Sequence, residues 1–147
     1  MIDFDLGKRY DVLVCLFSSI GYVQTIQNLH RTLASFDRHL NEGGIMLVEP
    51  WFTPEAWNPG ALHITTVEED QLKVCRMNIS EIKDGRLSFF TFHYLVGTPK
   101  GVVHFTEDHT LGLFTFNEMK AAFAATGLTV KYDDQGIFGR GLYVAER

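Results

Sequence analysis

The side chains best suited to chemistry in this sequence fall where apolar runs give way to polar residues. One such place is Phe17-Ser18-Ser19-Ile20-Gly21-Tyr22, and another is Glu49-Pro50-Trp51-Phe52. Each follows a run that reads as a buried parallel strand, and ligands of open α/β sheets bind outside the carboxyl ends of such strands. Ser18, Ser19, Glu49 and the indole N–H of Trp51 or Trp57 are therefore placed to meet a ligand. The other reading open at these positions is that Ser18 and Ser19 cap the next helix while Glu49 is a solvated loop residue. A third place is Gly139-Arg140-Gly141. It lacks both GxGxxG spacing and a helix after it, so its glycines read as easing a bend or bulge in the last strand. Arg140 between them can still meet an anion, because a guanidinium binds phosphate bidentately.

The six histidines are His30, His39, His63, His93, His104 and His109. None forms HExxH, and no pair falls at metal spacing on one helix, so no metal site is expected. His104 and His109 stand five apart on one expected strand and so point to opposite faces. A histidine acting as general base suits proton transfer near neutrality; the plainer reading of any one of them is a satisfied surface or sheet residue. No GxSxG elbow supports a Ser/His/Asp triad. Cys15 and Cys75 form no CxxC pair and read as small buried hydrophobes.

The elements that must hold these groups change character partway along. Tyr10 to Phe17 is a continuous apolar run, the pattern of a strand buried on both faces of a parallel sheet. A helix is expected over roughly Thr25 to Leu40, where Ile26, Leu29, Leu33, Phe36 and Leu40 make one apolar stripe. Gly43-Gly44 is read as its stop. Gly44 to Glu49 is a second buried strand closed by Pro50, which completes a right-handed βαβ unit. After Trp51 come β-rich segments over Leu62–Thr66, Gln71–Ser80, Arg86–Val96 and Val102–Phe114. They are joined by the hairpin signal Asp84-Gly85 and the turn Thr98-Pro99-Lys100-Gly101. Thr115-Phe-Asn-Glu118 is a capping box opening a helix that carries Met119, Ala122 and Phe123 and ends at Gly127. Strands at Leu128–Tyr132 and Ile137–Ala145 close the chain around Asp133-Asp134-Gln135-Gly136. The fold class is α/β: a partial parallel sheet, an inserted antiparallel meander over 61–114, and a closing antiparallel hairpin. A length of 147 residues suits a single domain over 1–147.

The net charge of −5 argues against a nucleic-acid binder. No apolar run approaches the ~18 residues that span a bilayer, and Met1-Ile-Asp-Phe-Asp is no signal peptide. A soluble, cytoplasmic protein is expected.

Taken together, Asp11-Val-Leu-Val-Cys-Leu-Phe-Ser-Ser-Ile-Gly-Tyr22, Leu33-Ala-Ser-Phe-Asp-Arg-His-Leu40, Gly43-Gly44 and Val48-Glu-Pro-Trp-Phe52 resemble class I S-adenosylmethionine-dependent methyltransferases. More narrowly, they look like the N,N-dimethyltransferases of dTDP-linked amino sugars in deoxysugar biosynthesis. The resemblance continues through His93-Tyr-Leu-Val96, His109, Leu113-Phe-Thr115, Ala124-Ala-Thr-Gly-Leu128 and Gly139-Arg-Gly-Leu142, and so covers essentially the whole chain. It implies the C-terminal part of a Rossmann-like sheet, with the strand ending at Phe17 as its fourth and that ending at Glu49 as its fifth. It implies S-adenosylmethionine as cofactor, with Met1 and Ile2 by the adenine and Leu16, Phe17 and Ser18 by the methionine part. Tyr22, Trp51, His109 and Arg140 would face a sugar nucleotide, with Glu49 beside them. Arg140 is the candidate for its phosphates, and Tyr22 or His109 for the base.

Members of that family carry three further strands and a glycine-rich loop ahead of this point, so the resemblance makes the chain N-terminally truncated and cofactor binding by it alone a question. Tyr10–Phe17 would then be a sheet edge, and such edges pair with something. The expected partner is a second copy, giving a homodimer through the strand 10–17 edge. An alternative from another class is a non-catalytic remnant or dimeric interaction module that keeps the fold. A third is that Met1 is an internal start of a longer protein. Affinity for S-adenosylmethionine separates the enzyme from the remnant.

Overall fold

A computed structural model describes residues 1–147. The chain divides into two compact units, one made of residues 1–56 and 111–147, the other of the contiguous stretch 57–110.

The first unit is built on a four-stranded sheet in the order β1-β2-β9-β8. Its strands are β1 (Tyr10–Cys15), β2 (Leu40–Val48), β8 (Thr129–Asp133) and β9 (Leu142–Glu146). β1 and β2 are parallel, and α1 (Ile26–Arg38) makes the connection between them. β9 runs antiparallel to both β2 and β8. This is the expected βαβ unit plus closing hairpin.

The middle of the expected apolar stripe forms, with Leu29, Leu33 and Phe36 of α1 buried, whereas Ile26 is exposed in the first turn and Leu40 is buried as part of β2. Each of the three buried α1 side chains is worth roughly 1.5–3 kcal/mol of transfer free energy. Thr25 caps the helix by accepting the Asn28 N–H. The C-terminus differs from the glycine-stop expectation. The helix ends at Arg38, β2 has begun by Leu40, and Gly43-Gly44 lies inside that strand. Pairing jumps from Tyr10–Leu40 to Val12–Ile45, so β2 carries extra residues against β1. Gly43, at φ 73°, supplies the left-handed residue that such a bulge requires.

β1 differs too. Alternation along it is plain in the burial: Cys15 is buried, while Val12 and Val14 are 59% and 54% exposed. The strand is therefore covered on one face only, against the expectation of two. Cys15, Met46, Val48, Tyr143 and Ala145 join the residues of α1 and of α2 (Phe116–Ala124) in one core cluster. The opposite face presents Val12, Val14 and Ile45, and both helices of the chain pack on the other side. α2 opens with the expected capping box, Thr115 Oγ1 accepting the Glu118 N–H at 3.2 Å and Glu118 accepting the Thr115 N–H at 2.8 Å.

The second unit is an antiparallel sheet of β3 (Leu62–Glu69), β4 (Leu72–Ile79), β5 (Glu81–Lys83), β6 (Leu87–Thr98) and β7 (Gly101–Gly112), the last running on into the first unit's segment. Asp84 and Gly85 both adopt positive φ, but the connection has three residues, Asp84 to Arg86, and not the expected two, because Lys83 pairs with Leu87. On one face of β3 and β4, Leu62 pairs with Ile79 and Ile64 with Met77, and all four are exposed.

Candidate functional site

The carboxyl ends of β1 and β2 lie side by side because the strands are parallel and in register, Cys15 against Val48. The turn after β1 has an unusual backbone. Phe17 (φ 53°) and Ser18 (φ 56°) are successive non-glycine residues in the left-handed region. Each costs roughly 1–2 kcal/mol there, and such conformations persist only where the surroundings fix them. The fixing groups are visible. The Phe17 N–H donates to Glu49 Oε2 at 2.6 Å, and the buried Ser18 hydroxyl donates to the Pro50 carbonyl at 2.7 Å. Ser19 donates through both N–H and Oγ to the Leu16 carbonyl. The turn thus commits its own polar atoms internally and turns the Phe17 ring, 73% exposed, outward.

Glu49 is fully buried and so is not a solvated loop residue. Its second oxygen, Oε1, accepts from Arg140 Nη2 at 2.7 Å, and its N–H continues the ladder to the Cys15 carbonyl. A buried carboxylate needs such partners to be tolerated. The Arg140 guanidinium lies 5.9 Å from the Trp51 ring centre, 6.0 Å from Phe52 and 5.8 Å from Phe138, within cation–π range. Phe138 stacks on Phe17 at 5.6 Å. One side of Arg140 is left without a bond: its buried Nε has no hydrogen-bond partner.

Arg140 sits in the loop between β8 and β9. Ile137–Gly141, expected as the start of the last strand, belongs to that loop, and β9 begins only at Leu142. Gly136, Gly139 and Gly141 all have positive φ there. At Gly141 an added Cβ would lie 2.1 Å from the Tyr132 hydroxyl, so the loop folds back closely on β8. Beside it is a cavity of about 280 Å³ whose walls include Trp51, Phe52, Phe116, Tyr132, Arg140 and Tyr143. Burial raises the Tyr143 and Tyr132 phenols above their ordinary range, with Tyr132 adding to the first and Asp134 and Asp133 to the second. Both hydroxyls stay neutral hydrogen-bonding groups at physiological pH. Burial likewise pushes the Cys15 thiol up to about 11, the nearby Glu49 charge contributing.

The first unit therefore brings together Leu16, Phe17, Ser18, Glu49, Trp51 and Arg140. Tyr22 is in the single 3-10 turn Ser19–Val23, with its ring half exposed. Ile2 packs against the core cluster, and Met1 beside it is exposed. His109 is on β7 in the second unit. Its ring stacks on Phe90 at 5.2 Å, and its Nε2 lies 3.8 Å from Glu107 Oε2. Cys75 is partly exposed and Cys15 buried, and both are free. His39 fits the satisfied reading: it is buried, with Nδ1 2.7 Å from the Ser35 carbonyl and Nε2 accepting the Leu6 N–H at 2.9 Å. The residues that sequence reasoning missed are Phe138, Tyr132 and Tyr143. The aromatic content of the closing hairpin is the signal for them, masked by the strand-like look of Ile137–Gly141.

No family model matches the chain. It is 41% identical over 145 residues to the dTDP-3-amino-3,4,6-trideoxy-alpha-D-glucopyranose N,N-dimethyltransferase of Streptomyces venezuelae, covering 98% of this chain and 61% of that protein. The crystal structure of Streptomyces venezuelae DesVI superposes with a TM-score of 0.92 at 40% identity, over 97% of this chain and 61% of the other. The S-adenosylmethionine-bound structure of CalS10, an amino pentose methyltransferase involved in calicheamicin biosynthesis, gives a TM-score of 0.86 at 35% identity over 98% of this chain and 61% of that one. Over nearly all its length the chain is thus similar in sequence and in its Rossmann-like α/β fold to sugar N-methyltransferases, and it spans about three fifths of the relatives it matches.

Proposed function

We propose that this chain forms part of an S-adenosylmethionine-dependent N-methyltransferase acting on a small-molecule amine, with a nucleotide-linked amino sugar as the substrate class. The observation that carries this reading is the strained Phe17–Ser18 turn, fixed by Glu49 and Pro50 at paired strand ends, in a chain similar to sugar N-methyltransferases. Such strain is stored at functional sites.

The residues present suit one wall of the cofactor site. The exposed Phe17 ring and Met1 offer apolar surface, while Ile2, Leu16 and Ser18 shape the wall from behind. When bound, S-adenosylmethionine supplies the methyl group and its electrophilic carbon. The chain's own task is to align the acceptor and keep its nitrogen unprotonated, since proximity and orientation provide most of what such a transfer needs. Tyr22 and His109 are the groups we assign to take the proton. Trp51 and Arg140 are assigned to the acceptor, with the part-exposed Arg140 guanidinium offered to phosphate oxygens and Glu49 serving through Arg140.

Calorimetric titration with S-adenosylhomocysteine tests the reading. Micromolar binding supports it, and acceptor screening comes next. Absence of binding at millimolar ligand favours the alternative, a module that keeps the fold without the reaction. That alternative has its own observation, the apolar edge strand with Val12 and Val14 exposed. Accordingly we also propose a homodimer through β1, which a monodisperse monomer in sedimentation at micromolar concentration would contradict. The reading includes a cytoplasmic setting and residues 1–147 as one cooperative domain with 61–114 inserted. A single calorimetric unfolding transition is its expected signature.

A further inference from the structure

Glu49 holds two loops that the chain otherwise keeps far apart in sequence. Its Oε2 receives the N–H of Phe17, in the left-handed turn after β1, and its Oε1 receives Arg140, from the β8–β9 loop ninety-one residues along. Both bonds are short, as bonds to an ionised carboxylate are. The backbone is anchored as well, because the Glu49 N–H donates to Cys15 and the next residue's carbonyl accepts from Ser18. The carboxylate itself is fully buried and offers no open face to a ligand. The two loops also meet directly through the Phe17–Phe138 stack.

We propose that Glu49 is a positioning residue that clamps the Phe17–Ser18 turn and the Gly136–Gly141 loop into a single rigid rim, so that the cofactor wall and the anion-binding arginine are set by one carboxylate. The proposal rests on the functional reading above for what the rim serves, while the clamp itself can be read without any ligand. Glu49→Gln keeps the shape of the side chain and removes both the charge and one of the two acceptor oxygens. An amide in place of a carboxylate hydrogen-bonded at both oxygens weakens both attachments, since one donor loses its acceptor and the other exchanges a charge-assisted bond for a neutral one about half as strong. Released from its acceptor, the left-handed turn has less to hold it, since such backbone persists only where its surroundings over-determine it.

The test is amide and guanidinium NMR on the whole chain. In the parent, the Phe17 amide proton should stand well downfield and exchange slowly. In Glu49→Gln it should move upfield and exchange about tenfold faster, the population shift that corresponds to ~1.4 kcal/mol. Resonances of residues 136–141 should shift in the same spectrum. Glu49→Asp, which keeps the charge on a shorter arm, should restore part of both changes. Arg140→Gln should disturb residues 136–141 and leave the Phe17 amide downfield, and it keeps the proposal testable if Glu49→Gln does not fold. An unmoved Phe17 amide in Glu49→Gln, or changes confined to one of the two loops, overturns the clamp. So does a Phe17 amide in the ordinary range in the parent, which needs no variant. S-Adenosylhomocysteine titration of the same samples separates the two layers. If the parent binds and Glu49→Gln binds about tenfold more weakly, the clamp serves the cofactor wall; equal affinity overturns that role. If the parent does not bind, the functional reading fails while the NMR result still decides the clamp.

Discussion

In the first unit, two helices lie on one face of a four-stranded sheet, and Leu29, Leu33, Phe36, Met46, Phe123 and Tyr143 disappear into a single cluster. In the second, a five-stranded antiparallel sheet carries no helix, and Leu62, Ile64, Met77, Ile79 and Leu95 stay exposed. The strand chemistry is similar, since both sheets are rich in β-branched and aromatic residues. What differs is whether a second layer is available, because a sheet buries its apolar face only against another element. Stability within this chain therefore belongs mostly to residues 1–56 and 111–147, while residues 57–110 keep surface available for contact.

The sharpest way to break that contrast is a matched pair of truncations. Leu33→Ala, in the packed unit, should cost about 2–5 kcal/mol, the range for a large-to-small change in a core. Ile64→Ala, at 60% exposure in the open sheet, should cost less than about 1 kcal/mol. Equal losses in urea melts would mean that the second sheet is covered in solution.

The two cysteines sharpen the contrast by pH. The buried Cys15 thiol has its value raised from 9.0 to about 11, so the folded state holds that proton more tightly than the unfolded chain. This linkage leaves stability unchanged below pH 9 and erodes it as pH rises from 9 towards 11, by at most about 2.7 kcal/mol at ~1.4 kcal/mol per unit. Cys15→Ala should flatten that part of the profile. At pH 8 a thiol reagent should label Cys75 first and Cys15 only on unfolding.

Smaller is the cap of α2. Thr115→Ala removes one half of the capping box and should cost about 1 kcal/mol in the same melts. Smallest is the surface ion pair of the N-terminal segment, where Arg38 and then Arg31 hold the Asp3 carboxyl below its ordinary 3.8. Its contribution is present above pH 3.8 and is lost as pH falls through the lowered folded value. Asp3→Asn should therefore lower stability above about pH 3.8 and leave the acid end of the profile unchanged, and the loss should be slight because exposed pairs are well screened.

What was legible in the sequence was whatever rests on near neighbours. Thr115 and Glu118 announce their helix because a capping box closes over three residues, and Asp84-Gly85 announces its hairpin because positive φ is written in the residue type. The meander and the βαβ order come from periodicity. Glycine misled twice. Gly43-Gly44 has the composition of a helix stop but serves a bulge in β2, and Gly139 and Gly141 have the composition of a strand kink but shape a loop. In both cases the deciding partner, the offset against β1 or the Tyr132 hydroxyl, is not local. The same holds for the site. Glu49 stood out by its place at a strand end, yet its burial depends on Arg140, and no spacing rule links residues so far apart. The one-sided exposure of β1 was illegible for a different reason: an apolar run records what a strand can bury, and Val12 and Val14 in this chain have nothing above them.

The sheet order β1-β2-β9-β8 has a consequence for how the polypeptide matures as it leaves the ribosome. β2 obtains its second hydrogen-bonding neighbour only from residues 142–146, whereas the intervening stretch 57–110 contains all its own strand partners apart from the tail of β7. The interrupting segment can therefore reach its final pairing while β2, paired with β1 on one side, still has its other edge open. Distant pairings of this kind are slow to form, and an open strand is an invitation to the wrong neighbour. During synthesis the vulnerable element is thus β2, the strand that in the finished molecule delivers Glu49.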